Sequence, residues 1–127
     1  MYSSFFIEVD PFKCDCFLPQ PFTMHHIHQI SSQVVFTDSG SNYMDISVQR
    51  RDSKLYFTEG WLNLLTYYDQ PNGMWVKLVF LGGARFFIEK LFSRSFVGQV
   101  QVPSCNTLPH KALHLGCKTE VVWYYNL

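Results

Sequence analysis

The chain has 127 residues, of which 47% are apolar and 17% are aromatic. This length is enough for one domain with a hydrophobic core, and the composition is too apolar for an intrinsically disordered segment. Ten Lys and Arg residues balance ten Asp and Glu residues, which excludes a strongly basic nucleic-acid-binding protein as a description of the whole chain but leaves room for a local basic patch.

The chain begins with a predicted strand. Apolar and polar residues alternate through residues 5–9, and the Asp10-Pro11 pair ends the strand because proline lacks a backbone donor. An extended segment is predicted up to residue 18. Prolines 19 and 21 favour the first turn of a short helix that continues through Ile27.

Two further strands, 33–37 and 43–49, are predicted to form a hairpin. The Asp-Ser-Gly-Ser-Asn run between them is a strong turn signal. Residues 50–54 are interpreted as a polar, mostly cationic connection, and residues 55–57 as the next strand.

The period of the pattern then changes. Trp61, Leu64, Leu65 and Tyr68 follow the spacing of one helical face, and Thr58 is placed to cap the helix. The run Asp-Gln-Pro-Asn-Gly at residues 69–73 ends it.

The last predicted hairpin joins residues 74–81 to residues 85–92 through Gly82-Gly83. About seven short strands and two short helices over residues 1–92 favour a mainly β barrel or sandwich. Residues 93–127 are assigned to a C-terminal extension of unknown role, with possible strands at 99–102 and 121–125.

The sequence gives little support for catalysis. It contains neither a glycine-rich phosphate loop nor a G-x-S-x-G elbow, and its Asp residues lie mostly at turns. We expect no enzymatic activity and no cofactor, and an enzyme is the last-ranked alternative.

The four cysteines are expected to be free thiols. No secretory leader or membrane-spanning run is recognised, so we expect an intracellular protein that does not need disulfides. Cys105, His110, His114 and Cys117 are spaced as a conceivable zinc set. Because the C-x-x-C pair typical of such sites is missing, no metal site is predicted.

The most informative polar cluster is Arg50, Arg51 and Lys54, flanked by Gln49 and Ser53. Arginine binds phosphate or guanine, and glutamine is able to pair with adenine in the major groove. Lys13, in the loop after the first strand, adds a second possible contact. The cluster is either a solvated hairpin tip or a nucleic-acid contact.

The order of the motifs resembles that of the plant B3-type DNA-binding domain, especially its reproductive-meristem branch, over residues 4–92. The matching segments are Phe5-Phe6-Ile7, Phe17-Leu18-Pro19 with Pro21-Phe22, residues 35–43 with Asp38-Ser39-Gly40, residues 54–61 ending in Gly60-Trp61, residues 73–80, and Gly82-Gly83 with Phe86-Phe87-Ile88.

This resemblance implies a seven-stranded open pseudobarrel with two short helices. It also implies sequence-selective binding of double-stranded DNA through two arms in the major groove, here residues 11–16 and 47–54, by a nuclear transcription regulator. On this model Lys13, Lys54 and one of Arg50 and Arg51 hold phosphates. Gln49 and the other arginine read bases, and Ser53 contributes a hydroxyl.

An alternative function stays open, in which the barrel has lost DNA binding and serves as a protein-interaction or dimerisation module. This alternative is suggested by the neutral charge of the chain and by Asp15 beside Lys13 in the first arm. The aromatic residues 123–125 of the extension would then contact the partner.

Overall fold

The structure is a computed structural model that describes residues 3–94 and 98–103. It confirms a mainly β chain with two short helices. The elements are β1 (Ser4–Val9), β2 (Cys16–Phe17), α1 (Gln20–His26), β3 (Gln33–Thr37), β4 (Tyr43–Arg51), β5 (Lys54–Phe57), α2 (Asn63–Tyr67), β6 (Met74–Gly82) and β7 (Arg85–Ser93).

The strands form one sheet of seven in the order β1-β6-β7-β3-β4-β5-β2. All neighbours are antiparallel except β3 and β7, which are parallel. The sheet curls into a nearly closed barrel, which confirms the predicted fold class. The edge strands β1 and β2 approach each other at a seam, where the Cys16 thiol donates to the carbonyl oxygen of Glu8 at 3.6 Å.

Alternation along the strands fills the barrel with apolar side chains, because successive residues point to opposite faces of a sheet. Phe36 lies at the centre, with its ring centroid 5.2 Å from that of Phe57 and 5.5 Å from that of Phe86. Helix α1 adds Phe22, whose ring packs against Phe86 at 5.9 Å. Trp61 stacks on Phe57 at 4.9 Å. The core is therefore largely aromatic.

The predicted connection at residues 50–54 is wrong. Arg50 and Arg51 continue β4 and pair with Leu55 and Lys54 of β5. Only the two residues between β4 and β5 form the turn, and both have positive φ angles, 51° at Asp52 and 68°. Two-residue turns with positive φ at both positions match the twist of a hairpin. The cationic residues thus belong to a tight β-hairpin.

The predicted cap of the second helix is also wrong. Helix α2 begins at Asn63, and its start has no side-chain cap. The Thr58 hydroxyl donates to the carbonyl oxygen of Ser47 at 3.3 Å, while the Thr58 amide bonds to the same oxygen at 2.9 Å. Thr58 is held by the sheet and is unavailable to the helix. The predicted apolar face is nevertheless buried at Trp61, Leu64, Leu65 and Tyr68.

Residues 98–103 pack against the barrel. Val100 and Val102 contact the core, and the Val100 amide donates to the carbonyl oxygen of Leu91 at 2.7 Å. The carbonyl oxygen of Pro103 accepts a bond from Nδ2 of the Asn42 side chain at 2.6 Å. In place of the strand expected at 99–102, the structure has a single bridge between Gln99 and Phe92.

The possible strand at 121–125 and the four conceivable zinc ligands from Cys105 to Cys117 lie outside the described residues. Within the described ranges, no three His, Cys, Asp or Glu side chains are grouped as a metal site would require. Neither helix in this part of the chain has the length and hydropathy needed to span a membrane.

Candidate nucleic-acid interface

The outer face of β2, β5 and β4 carries polar and aromatic side chains. Leu55 and Phe57 point into the core, so the residues that alternate with them point outward. Gln49 is paired with Tyr56, Arg51 with Lys54, and Phe17 with Tyr56. We call the outward set the arm face, which consists of Phe17, Gln49, Arg51, Lys54 and Tyr56.

Arg51 is the centre of the arm face because three groups hold its guanidinium. Its Nη2 lies 2.8 Å from Oδ2 of Asp15, in the loop between β1 and β2. Its Nε and Nη2 both donate to Oε1 of Gln49, at 3.0 and 2.6 Å. The guanidinium carbon lies 4.5 Å from the centroid of the Tyr56 ring. The ion pair therefore ties the loop to the β4–β5 hairpin.

Lys54 lies over the second aromatic ring. Its Nζ is 5.3 Å from the ring centroid of Phe17, which is itself 5.5 Å from that of Tyr56. Phe17 is 44% exposed. Cation–aromatic contacts at exposed sites stabilise by about 0.5–1 kcal/mol. These contacts position the ammonium group of Lys54 while leaving it in solvent.

Lys13 reaches the arm face from residues 10–15, the loop between β1 and β2. These residues form a turn in which the backbone amide of Lys13 donates to the carbonyl oxygen of Asp10 at 3.0 Å, and the backbone amide of Phe12 donates to the Asp10 carboxylate at 2.9 Å. The side chain of Lys13 is exposed on this turn. Lys13 lines a cleft of about 270 Å³ together with Phe17 and Tyr56. Three cations, Lys13, Arg51 and Lys54, are thus grouped around two aromatic rings.

The structure does not group Arg50 with Arg51 and Lys54. Arg50 alternates to the other face of β4, where its Nη2 donates to the carbonyl oxygen of Ile30 at 3.2 Å. Ser53 lies in the hairpin turn and is exposed. The six residues expected from the sequence are therefore divided among the arm face, the opposite side of β4, the hairpin turn and the loop.

Sequence reasoning missed Asp15, Phe17 and Tyr56 as parts of the site. A correct hairpin register would have placed Tyr56 beside Gln49, because cross-strand neighbours share a face. The contact between Asp15 and Arg51 joins residues far apart in the chain, and no local pattern indicates it.

The two cysteines of the loop and β2 differ in environment. Cys14 is exposed, whereas Cys16 points toward the seam. Burial, with the nearby Glu8 carboxylate as a second cause, raises the pKa of the Cys16 thiol to about 12. The thiolate is the nucleophilic form of cysteine, so we expect Cys16 to react more slowly than an ordinary thiol at neutral pH.

Comparison with known proteins adds information on the fold. No protein-family model matches the chain, and no curated protein matches it. Among solved structures, the chain is similar to the hypothetical Arabidopsis thaliana protein At1g16640.1, with a TM-score of 0.61 and 15% identity, over 71% of this chain and 89% of that one. At this identity the likeness shows a shared barrel fold. The barrel fold agrees with the architecture implied by the B3-like motif order, whereas membership of that family stays a prediction.

Proposed function

We propose that this barrel is a sequence-selective, double-stranded DNA-binding domain of a plant transcription regulator that acts in the nucleus. The loop at residues 10–15 and the β4–β5 hairpin would enter the major groove as two arms. The observation that carries the proposal is the grouping of Lys13, Arg51 and Lys54 around Phe17 and Tyr56. Catalysis, metals and cofactors have no part in it.

The distribution of charge supports a polyanionic ligand. Residues 10–15 and 49–54 contain four cations and three carboxylates, whereas the whole chain is neutral. Phosphate contacts supply most of the non-specific affinity for DNA. A local excess of positive charge is therefore the feature that a neutral DNA-binding chain needs.

The geometry supports different roles for the individual residues. Lys13 and Lys54 are exposed at the end of flexible side chains and are placed to bind phosphates as point charges. Arg50, although bonded to Ile30, is exposed and is a third phosphate candidate. Gln49 is exposed on the outer face and is the candidate for base contact, while Ser53 offers a hydroxyl at the turn.

The proposal is tested by fluorescence anisotropy with random-sequence duplex DNA at several salt concentrations. We expect log K to fall linearly with log salt, with a slope of about −2 to −3, because each phosphate contact contributes about −0.9. Replacing Lys54 by Glu should weaken binding and make the slope less steep by about one contact.

The matched control is Lys90→Glu. Lys90 is exposed on β7, and its Cα partner is Lys77 of β6, so it lies on the other half of the sheet. The same charge change there should weaken binding far less. Equal losses from the two variants, or affinity independent of salt, would contradict the assigned site.

A second candidate function rests on exposed aromatic side chains of β1 and β6. Phe6 is 52% exposed and Trp75 is 43% exposed, on strands that are paired with each other. Exposed aromatic residues are enriched at protein interfaces. If this face mediates self-association, the mass from light scattering should rise with concentration, and Trp75→Ser should abolish the rise. A constant monomer mass would exclude self-association.

A further inference from the structure

The side-chain carbonyl of Gln49 is fully occupied within the protein. An amide oxygen accepts about two hydrogen bonds, through its two lone pairs. Oε1 of Gln49 already accepts one bond from Nε and one from Nη2 of Arg51, at 3.0 and 2.6 Å. The amide nitrogen of Gln49 is therefore the group left to meet a ligand, and it offers two donors.

Arg51 is held in this position by other contacts as well. Its Nη2 also forms an ion pair with the Asp15 carboxylate at 2.8 Å, and the guanidinium lies over the Tyr56 ring. A guanidinium has donors on three nitrogens. Nε and Nη2 are both engaged within the protein, so Nη1 is the nitrogen left. Arg51 consequently lacks the fork of two nitrogens with which arginine reads guanine.

The usual pairing of glutamine with adenine needs both halves of the amide. The oxygen accepts from N6 of adenine, and the nitrogen donates to N7. Guanine instead presents two acceptors, O6 and N7, in the major groove. An amide that offers only donors matches two acceptors on guanine and only one on adenine.

We propose that Arg51 is a positioning residue that fixes the amide of Gln49 as a donor, so that Gln49 selects guanine over adenine. This inference rests on the proposed binding of duplex DNA. Because adenine would accept one bond from Gln49 where guanine accepts two, we expect affinity for a site with guanine at this position to be roughly 5- to 150-fold higher than for the same site with adenine. Arg51 itself would act through Gln49, without contacting a base.

The test is selection from a random duplex library with the wild-type protein and Gln49→Ala. The position whose preference disappears in Gln49→Ala is the one read by Gln49, and we expect guanine there in the wild type. In Arg51→Met the Gln49 carbonyl is released, so the preference at that position should move to adenine. A purely structural role of Arg51 would change affinity without changing the selected base.

Lys54→Met is the matched control, because it removes a cation from the same hairpin without touching Gln49. It should lower affinity and the salt slope and leave the selected base unchanged. Asp15→Asn should also preserve guanine, since Arg51 keeps its bonds to Gln49.

The wild-type selection tests the inference even if Arg51→Met fails to fold. Adenine at the Gln49 position, no position that depends on Gln49, or an unchanged preference in a folded Arg51→Met would each overturn it. If the wild type shows no salt-dependent binding of duplex DNA, the proposed function itself is wrong, and the inference that rests on it is wrong as well.

Discussion

Replacing Gly60 by Ala should destabilise the barrel strongly. Gly60 follows β5 with a φ of 90°, and a Cβ there would lie 2.3 Å from the backbone oxygen of Asp45. A side chain at such a φ costs about 1–3 kcal/mol. To relieve the clash, β4 must move away and weaken the bonds from Ser47 to Glu59 and from Thr58 to Ser47, both 2.9 Å. Each is worth about 0.5–1.5 kcal/mol, so we expect a total loss of about 2–6 kcal/mol.

Gly82→Ala separates the two contributions. Gly82 has a φ of 110° but nothing within 4 Å of an added Cβ, so only the conformational cost of about 1–3 kcal/mol applies. Urea unfolding followed by tryptophan fluorescence, to which the buried Trp61 contributes, measures both variants. If Gly60→Ala is no more destabilising than Gly82→Ala, the steric argument is wrong.

Four further outcomes are expected. In the double variant Cys105→Ser/Cys117→Ser, a maleimide at neutral pH should modify Cys14 rapidly and Cys16 slowly, because the pKa of Cys16 is raised to about 12. Equal labelling rates of the two thiols, measured by peptide mass spectrometry, would refute this. Tyr68→Phe should cost about 1–3 kcal/mol in urea unfolding, because the buried Asp38 loses a hydroxyl donor at 2.5 Å. Burial, and then Asp38, raise the pKa of Tyr68, so the folded protein keeps this proton while the unfolded chain loses it above about pH 10. Stability should therefore fall with pH there, and less steeply in Tyr68→Phe; identical pH profiles would exclude this linkage. Ser53→Gly should raise the melting temperature, because a φ of 68° suits glycine; a lower value would show that the serine makes a stabilising contact.

The strands were predictable where one face is buried. In β3 the apolar residues alternate and clear turn signals follow, and the predicted bounds 33–37 agree with the structure. The end of β4 was not predictable in this way. The predicted strand stops at Gln49, and Arg50 and Arg51 are both exposed, so no apolar period marks these two residues as strand. The turn Asp52-Ser53 lacks the Asn-Gly signal that usually identifies such a hairpin.

The sequence was enough to predict which residues form the cationic cluster, but not how their side chains are arranged in space. The cationic cluster is visible in the sequence, but strand alternation directs Arg50 away from Arg51. The pairing of Arg51 with Asp15 depends on how β2 docks beside β5, which is a tertiary contact. DNA binding by these residues stays a prediction.

The seam between β1 and β2 has a mechanical consequence. In a ring closed by backbone hydrogen bonds, every strand is clamped on both sides, whereas here the two-residue β2 is paired only with β5. We expect β2 to open locally while β6, β7 and β3 stay intact, so that the amide of Leu18, bonded to Leu55 across this junction, exchanges its hydrogen before those of the central strands. The ion pair between Asp15 and Arg51 spans the same junction, so it opposes this opening.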